Sequence, residues 1–263
     1  MKVLVPVKEV ATVDDEFEIE GTAIDERYLG VDLNEWDDYA IEAAVQLEED
    51  GIVDEVVTVT IGDEDTEQTI RQALAKGADR AIRVWDDALE GVDLLDVGAK
   101  VAILEAVVAA EEPDLVLTGV QSGDDSFGAT GVALAEAVDY QWGAVVNQLE
   151  LENGAEQASV HRELEGGIEE LTDIDLPAVL TIQTGINEPR YASLRGIRMA
   201  QRKELDHQTL DDLGVDAGAV AGDLRLTEMY EPESESDTTV YEGSAEDTAA
   251  QLADLLREKG VAQ

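Results

Sequence analysis

The sequence predicts an α/β fold: a doubly wound, mostly parallel sheet with an added antiparallel meander and a C-terminal arm. Three observations carry that expectation. Through about residue 138, short β-branched runs alternate with amphipathic helical periods, the pattern of a parallel sheet covered on both faces. A glycine-rich corner, Gly119 to Gly131, follows one of those runs and leads into a helix. From about 144 to 172 the period changes to two, with turn signals at Asn153-Gly154 and Gly166-Gly167.

The elements follow in order. Lys2 to Val7 is the first strand, and Pro6, which cannot donate to a ladder, belongs at its end. Asn34 is placed to cap a helix, with Asp37 three residues on to reach back to the cap. Trp36, Ala40, Ala43, Ala44 and Leu47 form that helix's apolar stripe, and Gly51 stops it. Glu55 to Ile61 is the second strand. It turns at Gly62 into a helix from about Asp65 to Lys76, closed by Gly77. Arg80 to Trp85 is a third strand, and Asp93 caps a helix running to about Ala110, before Pro113. Asp114 to Thr118 is a buried strand, and Val132 to Val138 a helix. The meander runs Ala144–Glu152, Gln157–Glu165 and Ile168–Leu171, packed on the parallel core, and Pro177 to Ile182 returns to the sheet. A helix follows at Leu194–Lys203, then a short strand at Leu224–Met229, an acidic loop, and a last helix near Ala245–Lys259. The domain expected is 1–222, including the meander; 223–263 is an arm with too little core to stand alone.

Composition narrows the function. Seventeen basic against 62 acidic residues give a net charge of −45. The acids lie between well-formed apolar periods, which argues against a disordered acidic tail. Such a charge strains a compact state unless screened, and the Debye length falls to about 3 Å at molar salt. The surface reads as adapted to a high-salt cytoplasm; a cation buffer or a binder of basic partners is the rival. No basic patch is evident to release counterions, so nucleic acid is not an expected partner. There is no cysteine, which removes disulfides, thiolate catalysis and cysteine-held metals. His161 and His207 have no neighbours at metal-ligand spacing. No run has the length of a membrane span, and residues 1–8 lack a signal-peptide core, so the expected location is cytoplasmic. No nucleophile elbow, triad or catalytic carboxylate pair can be nominated.

Ligands of parallel sheets bind beyond the carboxyl ends of the strands, at a switch point. Three lips collect there: Pro6 and Val7, Ile61 and Gly62, and the loop Gly119–Thr130. Glycines allow close approach of backbone, and a helix N-terminus presents unpaired N–H groups, which suits a phosphate. The spacing is neither the dinucleotide GxGxxG nor the Walker lysine loop. The expectation is a nucleotide or a similar anion. Farther on, Gly185 to Leu194 combines an apolar tip (Ile186), a turn (Asn187, Pro189), a charge pair (Glu188, Arg190) and Tyr191. It reads either as a functional loop or as an ordinary turn into the next helix, with Arg190 answering Glu188.

At Asn187-Glu-Pro-Arg-Tyr-Ala192 the sequence resembles the beta subunit of electron transfer flavoprotein. The likeness covers nearly the whole chain. It includes Val3 to Lys8, Asn34 to Glu42, Thr69 to Arg80, Asp114 to Gly119, Arg162 to Gly167, Leu176 to Thr181 and Asp212 to Asp216. The resemblance implies a Rossmann-like, adenine-nucleotide-binding domain in a heterodimer whose alpha subunit carries the redox-active FAD. It implies an electron carrier without catalytic residues of its own. Such a carrier takes electrons from acyl-CoA or related dehydrogenases in fatty acid β-oxidation and passes them to a quinone oxidoreductase of the respiratory chain. It implies a structural AMP in this chain, at Pro6, Asn34, Glu35, Trp36, Asp37, Ile61, Gly62, Gly119, Gln121, Ser122, Gly123, Asp124, Asp125, Ser126, Gly128 and Thr130. It makes 185–194 a recognition loop, with Ile186 as anchor and Asn187, Glu188, Pro189, Arg190 and Tyr191 beside it. Glu169 matches an acid at the alpha-subunit interface, and the arm 223–263 is expected to pack on that subunit. Two departures bear on the AMP contacts: Glu35 stands where proline is common, and residues 128 and 129 lack the usual amide side chains. Bifurcating members bind a second FAD in this cleft instead, but usually lack the intact Asn-Glu-Pro-Arg-Tyr run. A stand-alone ATP- or AMP-binding stress-type α/β protein is the reading from another class.

Overall fold

A computed structural model describes residues 1–92, 94–231 and 239–260. Strand β1 is Lys2–Pro6, followed by β2 Glu9–Val13, β3 Ile19–Glu20, β4 Ala23–Ile24 and β5 Leu29–Leu33. Then come α1 Glu35–Glu49, β6 Glu55–Ile61, α2 Glu67–Lys76, β7 Arg80–Val84, α3 Val97–Glu111, β8 Leu115–Gly119 and α4 Thr130–Ala137. The second half has β9 Gln141–Glu150, β10 Gln157–Leu164, β11 Ile168–Asp175, β12 Ala178–Ile182, α5 Leu194–Ala200, β13 Leu205–Gln208, α6 Leu210–Leu213 and α7 Ala245–Glu258. Two compact units form, Met1–Glu228 and Met229–Gln263.

One nine-stranded sheet runs through the first unit, in the order β11-β10-β9-β12-β8-β1-β6-β7-β13. Strand β1 pairs in parallel with both β6 and β8, so the winding reverses at the β1/β8 boundary. The period of two sorts the side chains. Val3, Val5, Leu115 and Leu117 join one core with Ala40, Ile41 and Ala44 of α1 and Ile70 and Leu74 of α2. Leu4, Val57, Val59 and Val116 join a second core on the other face, with Ile103, Leu104 and Val107 of α3 and Leu134 of α4. The expected doubly wound sheet is therefore present.

Several elements differ from expectation. The meander does not pack on the parallel core; it extends it, because β9 pairs in parallel with β12 while β10 and β11 continue antiparallel. Leu224–Met229 forms no strand: its alternation is right, but Leu224 is exposed and no neighbouring strand pairs with it among the described residues. The outer strand β13 went unpredicted because Leu-Asp-His-Gln carries one apolar residue. The small ladders β2–β5 and β3–β4 occupy a stretch that the sequence reading left without elements. Helix α3 is capped by Asp96, whose side chain accepts the Ala99 N–H; Asp93 and the acidic loop at 232–238 lie outside the described residues. The second unit carries α7, capped by Ser244, with none of its residues buried.

Candidate functional site

The carboxyl ends of β1, β6 and β8 open into a cavity of about 350 Å³. Pro6, Asn34, Asp37, Ile61, Gly119, Gln121, Ser122, Asp124, Asp125, Gly128 and Thr130 line it, as the convergence of three lips requires. Glu35, Trp36, Gly62, Gly123 and Ser126 do not. Trp36 turns away, its Nε1 donating to Gln183 Oε1 at 3.2 Å. Gly62 serves packing: a Cβ there would come within 2.3 Å of Thr66 Cγ2.

The start of α1 is not capped as expected. Asn34 makes no side-chain capping bond. Its Nδ2 donates to Gln121 O at 2.9 Å, and its Oδ1 accepts the Gly123 N–H at 3.2 Å, so it staples the glycine corner. Asp37 does not take the Asn34 backbone N–H, which goes to the Lys8 carbonyl at 2.9 Å. Its two oxygens accept the N–H groups of Lys8 (2.8 Å) and Gly119 (3.1 Å), tying α1 to the ends of β1 and β8. This carboxyl is only 6% exposed. Burial pushes it up to about 7, against the pull of its N–H donors. Gly119 must be glycine, since a Cβ would lie 2.5 Å from Asp37 Oδ1 and 2.6 Å from Trp36 Cβ.

At the far end, two lysines meet two aspartates. Lys8 Nζ donates to Asp124 (2.6 Å), Asp125 (2.9 Å) and Ser122 Oγ (3.2 Å). Lys100 of α3 pairs with Asp125, which also accepts Ser122 Oγ–H at 2.8 Å. Burial works to raise the Asp125 carboxyl, but Lys100, Lys8 and Ser122 outweigh it and hold it well below the usual range. Asp124 and Asp125 thus clamp the loop to β1 and α3. Donors are left for a ligand: α4 begins at Thr130, and its N-cap Ala129 has no polar side chain to satisfy the first N–H groups, while the buried Thr118 Oγ1, which has no partner among the described residues, also lines the cavity. Ala129 and Thr130 both face the cavity.

The segment 185–203 has two halves. The first is fastened to α1. Asn187 Nδ2 donates to Tyr39 O at 3.0 Å. Arg190 forks onto Glu42 (2.7 and 3.0 Å) and Glu49 (2.7 and 2.9 Å), not onto Glu188, which is exposed. Lys76 holds the Arg190 carbonyl at 3.0 Å, and Pro189 is half-buried. Ile186 is no free tip: it packs half-buried against the core. The second half projects its apolar residues. Tyr191 is 97% and Leu194 79% exposed, with Ile197 and Met199 about half exposed.

A family model of the electron transfer flavoprotein domain matches residues 21–213. The chain is 44% identical over 264 residues to the electron transfer flavoprotein subunit beta of Methylophilus methylotrophus, covering 98% of each chain. It is 36% identical over 234 residues to the mitochondrial beta subunit of Oryza sativa subsp. japonica, covering 88% of this chain and 90% of the other. It is 32% identical over 258 residues to the beta subunit of Bacillus subtilis (strain 168), covering 98% of each. The chain belongs to the electron transfer flavoprotein family, as a beta subunit. Membership implies an alpha-subunit partner and a role in electron transfer rather than catalysis. No helix among the described residues is long and apolar enough to cross a membrane.

In this beta subunit Glu169 lies on the outermost strand β11, exposed, 3.5 Å from His161 Nε2. Residues that sequence reasoning missed in the cleft include Lys8, Glu9, Thr66, Leu95, Lys100 and Leu104. Lys8 was legible, one step past the Pro6-Val7 lip. Lys100 and Leu104 sit one helical turn apart on α3, a helix whose aim at the cleft has no local signal.

Proposed function

We propose that this beta subunit completes a heterodimeric electron carrier whose FAD is held mainly by the alpha subunit. That FAD, when bound, supplies the redox chemistry. This chain contributes an AMP site, a surface for acyl-CoA or related dehydrogenases, and an arm (223–263) that packs on the alpha subunit. Electrons then leave for a quinone oxidoreductase of the respiratory chain.

The observation that carries the nucleotide reading is the uncapped start of α4 opening into the β1/β6/β8 cavity. Its N–H groups would hold the phosphate, with the dipole end of the helix favouring negative charge. Ile61, Leu95 and Leu104 supply apolar wall for a base. Asn34, Asp37, Lys8 and Lys100 position the loop. A cavity of about 350 Å³ is at the small end of ligand sites, which supports AMP over a second FAD. AMP here does no chemistry; it fills and stiffens the cleft.

The test is nucleotide content. The heterodimer is purified in high salt and denatured, and the released nucleotides are separated by chromatography. One FAD and one AMP per heterodimer supports the reading. Two FAD moves the assignment to a bifurcating carrier, and FAD alone removes the nucleotide from the cleft. The net charge of −45 supports a high-salt origin. Lowering salt from molar to ~0.1 M is expected to lower the melting temperature, and indifference to salt refutes that origin.

A further inference from the structure

Thr118 is the penultimate residue of β8 and only 5% exposed, and its hydroxyl has no hydrogen-bond partner among the described residues. A buried hydroxyl left unpaired is costly, so most such groups find a partner. The neighbouring strand shows the ordinary case. Thr181 of β12 stands beside Thr118 in register, and its Oγ1 accepts the Val145 N–H at 2.8 Å. Thr58 of β6 also carries a buried hydroxyl without a partner among the described residues, but it does not line the cavity; Thr118 does. Thr118 Oγ1 lies against the first turn of α4, since a Cβ added to Gly131 would come within 2.5 Å of it. It therefore stands beside the N–H groups that Ala129 leaves uncapped.

The charged donors of the cleft are committed elsewhere. Lys8 and Lys100 are held by Asp124 and Asp125. Along the wall, Glu9, Asp124 and Asp125 outnumber Lys8 and Lys100 even when Asp37 keeps its proton. A phosphate at the start of α4 is then left to neutral donors. We propose that Thr118 is a ligand-contacting, specificity-determining residue of this cleft, its hydroxyl donating to a phosphate oxygen held at the first turn of α4. This rests on the nucleotide reading of the cleft. A hydroxyl offers one O–H, and a bond from it to an anionic oxygen is roughly twice as strong as a neutral one. The contact supplies the partner that Thr118 lacks within the chain. It also separates a nucleoside monophosphate from its nucleoside, which fills the apolar wall but leaves the hydroxyl unpaired. Valine, of nearly the same shape, removes the donor and the unpaired group together. The ligand-free and the liganded protein therefore respond to it with opposite sign.

The experiment uses the full heterodimer in molar salt. Labelled AMP is exchanged into it, unlabelled AMP and adenosine compete for the site, and melting is followed with and without AMP. Compared are the parent, Thr118→Val, Thr118→Ser and, as the control, Thr58→Val. Thr118→Val is expected to weaken AMP by on the order of tenfold or more, while adenosine stays within about threefold of its strength in the parent. Thr118→Ser keeps the donor and is expected to hold AMP within about threefold of the parent. Thr58→Val is expected to leave both ligands unchanged. Without AMP, Thr118→Val is expected to melt no lower than the parent, because it removes an unpaired group. If AMP binds Thr118→Val as it binds the parent, the hydroxyl contact is overturned while the nucleotide cleft stands. If AMP and adenosine weaken together, or Thr58→Val weakens AMP as much, Thr118 acts through packing and the proposal is overturned. A lower melting temperature of Thr118→Val without AMP overturns it too, since the protein itself then satisfies the hydroxyl. If the parent neither holds nor takes up AMP, the nucleotide reading falls and this inference with it.

Discussion

The cleft and the segment 185–203 both carry cations, but they use them in opposite ways. In the cleft, Lys8 and Lys100 are each matched by Asp124 or Asp125, and the partners are mostly buried. In residues 189–203, three of five cations face solvent without a partner among the described residues. The first arrangement fixes a loop so that backbone donors keep their aim, as a long-lived ligand requires. The second leaves charge and apolar area available, as a partner that docks and departs requires. The division also runs inside the segment: Asn187 to Arg190 is anchored to α1, and only the residues after it project.

The largest expected effect breaks that internal division. Arg190→Ala leaves Glu42, buried on α1, without its fork. Removing one partner of a buried pair costs about 3 kcal/mol, so the urea midpoint in molar salt should fall accordingly. A loss below about 1 kcal/mol would show that the anchor is decorative. Next comes Gly119→Ala, expected to cost about 2 kcal/mol through overpacking, because the Trp36 backbone and Asp37 leave no room. If the proposed AMP site is right, the same substitution should also lower the AMP recovered from the purified heterodimer. Gly123→Ala is the internal control: nothing lies within 4 Å of its added Cβ, so stability should stay within about 0.5 kcal/mol. Equal losses at both positions would refute the close-approach argument.

The contrast between these two glycines marks what was legible in the sequence. The winding of the sheet and the corner 119–131 followed from periodicity, because β1, β6 and β8 each carry short, β-branched or apolar runs. Which residues of the corner face the cavity did not follow, since Gly119, Gly123 and Gly128 look alike in a string. Asn34 and Asp37 read as a capping box because i, i+3 spacing is local information. Their real partners are Gln121, Gly123 and Gly119, more than 80 residues away in sequence, and Lys8, 29 residues away. Arg190 was matched to Glu188 for the same reason, while its carboxylates lie on α1.

Asp37 gives a smaller effect with a definite sign. Folding raises its carboxyl from the ordinary 3.8 to about 7, so between those values the folded protein retains a proton that the unfolded chain has released. The stability it contributes is full below pH about 4 and is lost as pH rises through about 7. Asp37→Asn removes that dependence, at the cost of one N–H acceptor. The stability gap between the parent and Asp37→Asn should therefore narrow from pH 5 to pH 8, measured by urea unfolding in molar salt. A gap that widens would mean that the N–H donors from Lys8 and Gly119 outweigh burial and keep the carboxylate ionised.

The smallest effect on the fold separates anchor from projection. Ile186 and Leu194 bracket the segment and are both aliphatic, yet one packs on the core and the other is 79% exposed. Ile186→Ala should cost about 1 kcal/mol, less than a full core truncation because the residue is only half-buried. Leu194→Ala should leave stability within about 0.5 kcal/mol, as for other exposed positions. Their effects on docking should be reversed. An aliphatic side chain buried at an interface contributes roughly 1.5–3 kcal/mol, so Leu194→Ala should weaken dehydrogenase coupling by roughly ten- to a hundredfold. Ile186→Ala should leave coupling near the parent value once the protein is folded. If Ile186→Ala impairs coupling more than Leu194→Ala, residue 186 must swing outward to meet the partner, and the boundary between the anchored and projecting halves belongs before it rather than after Arg190.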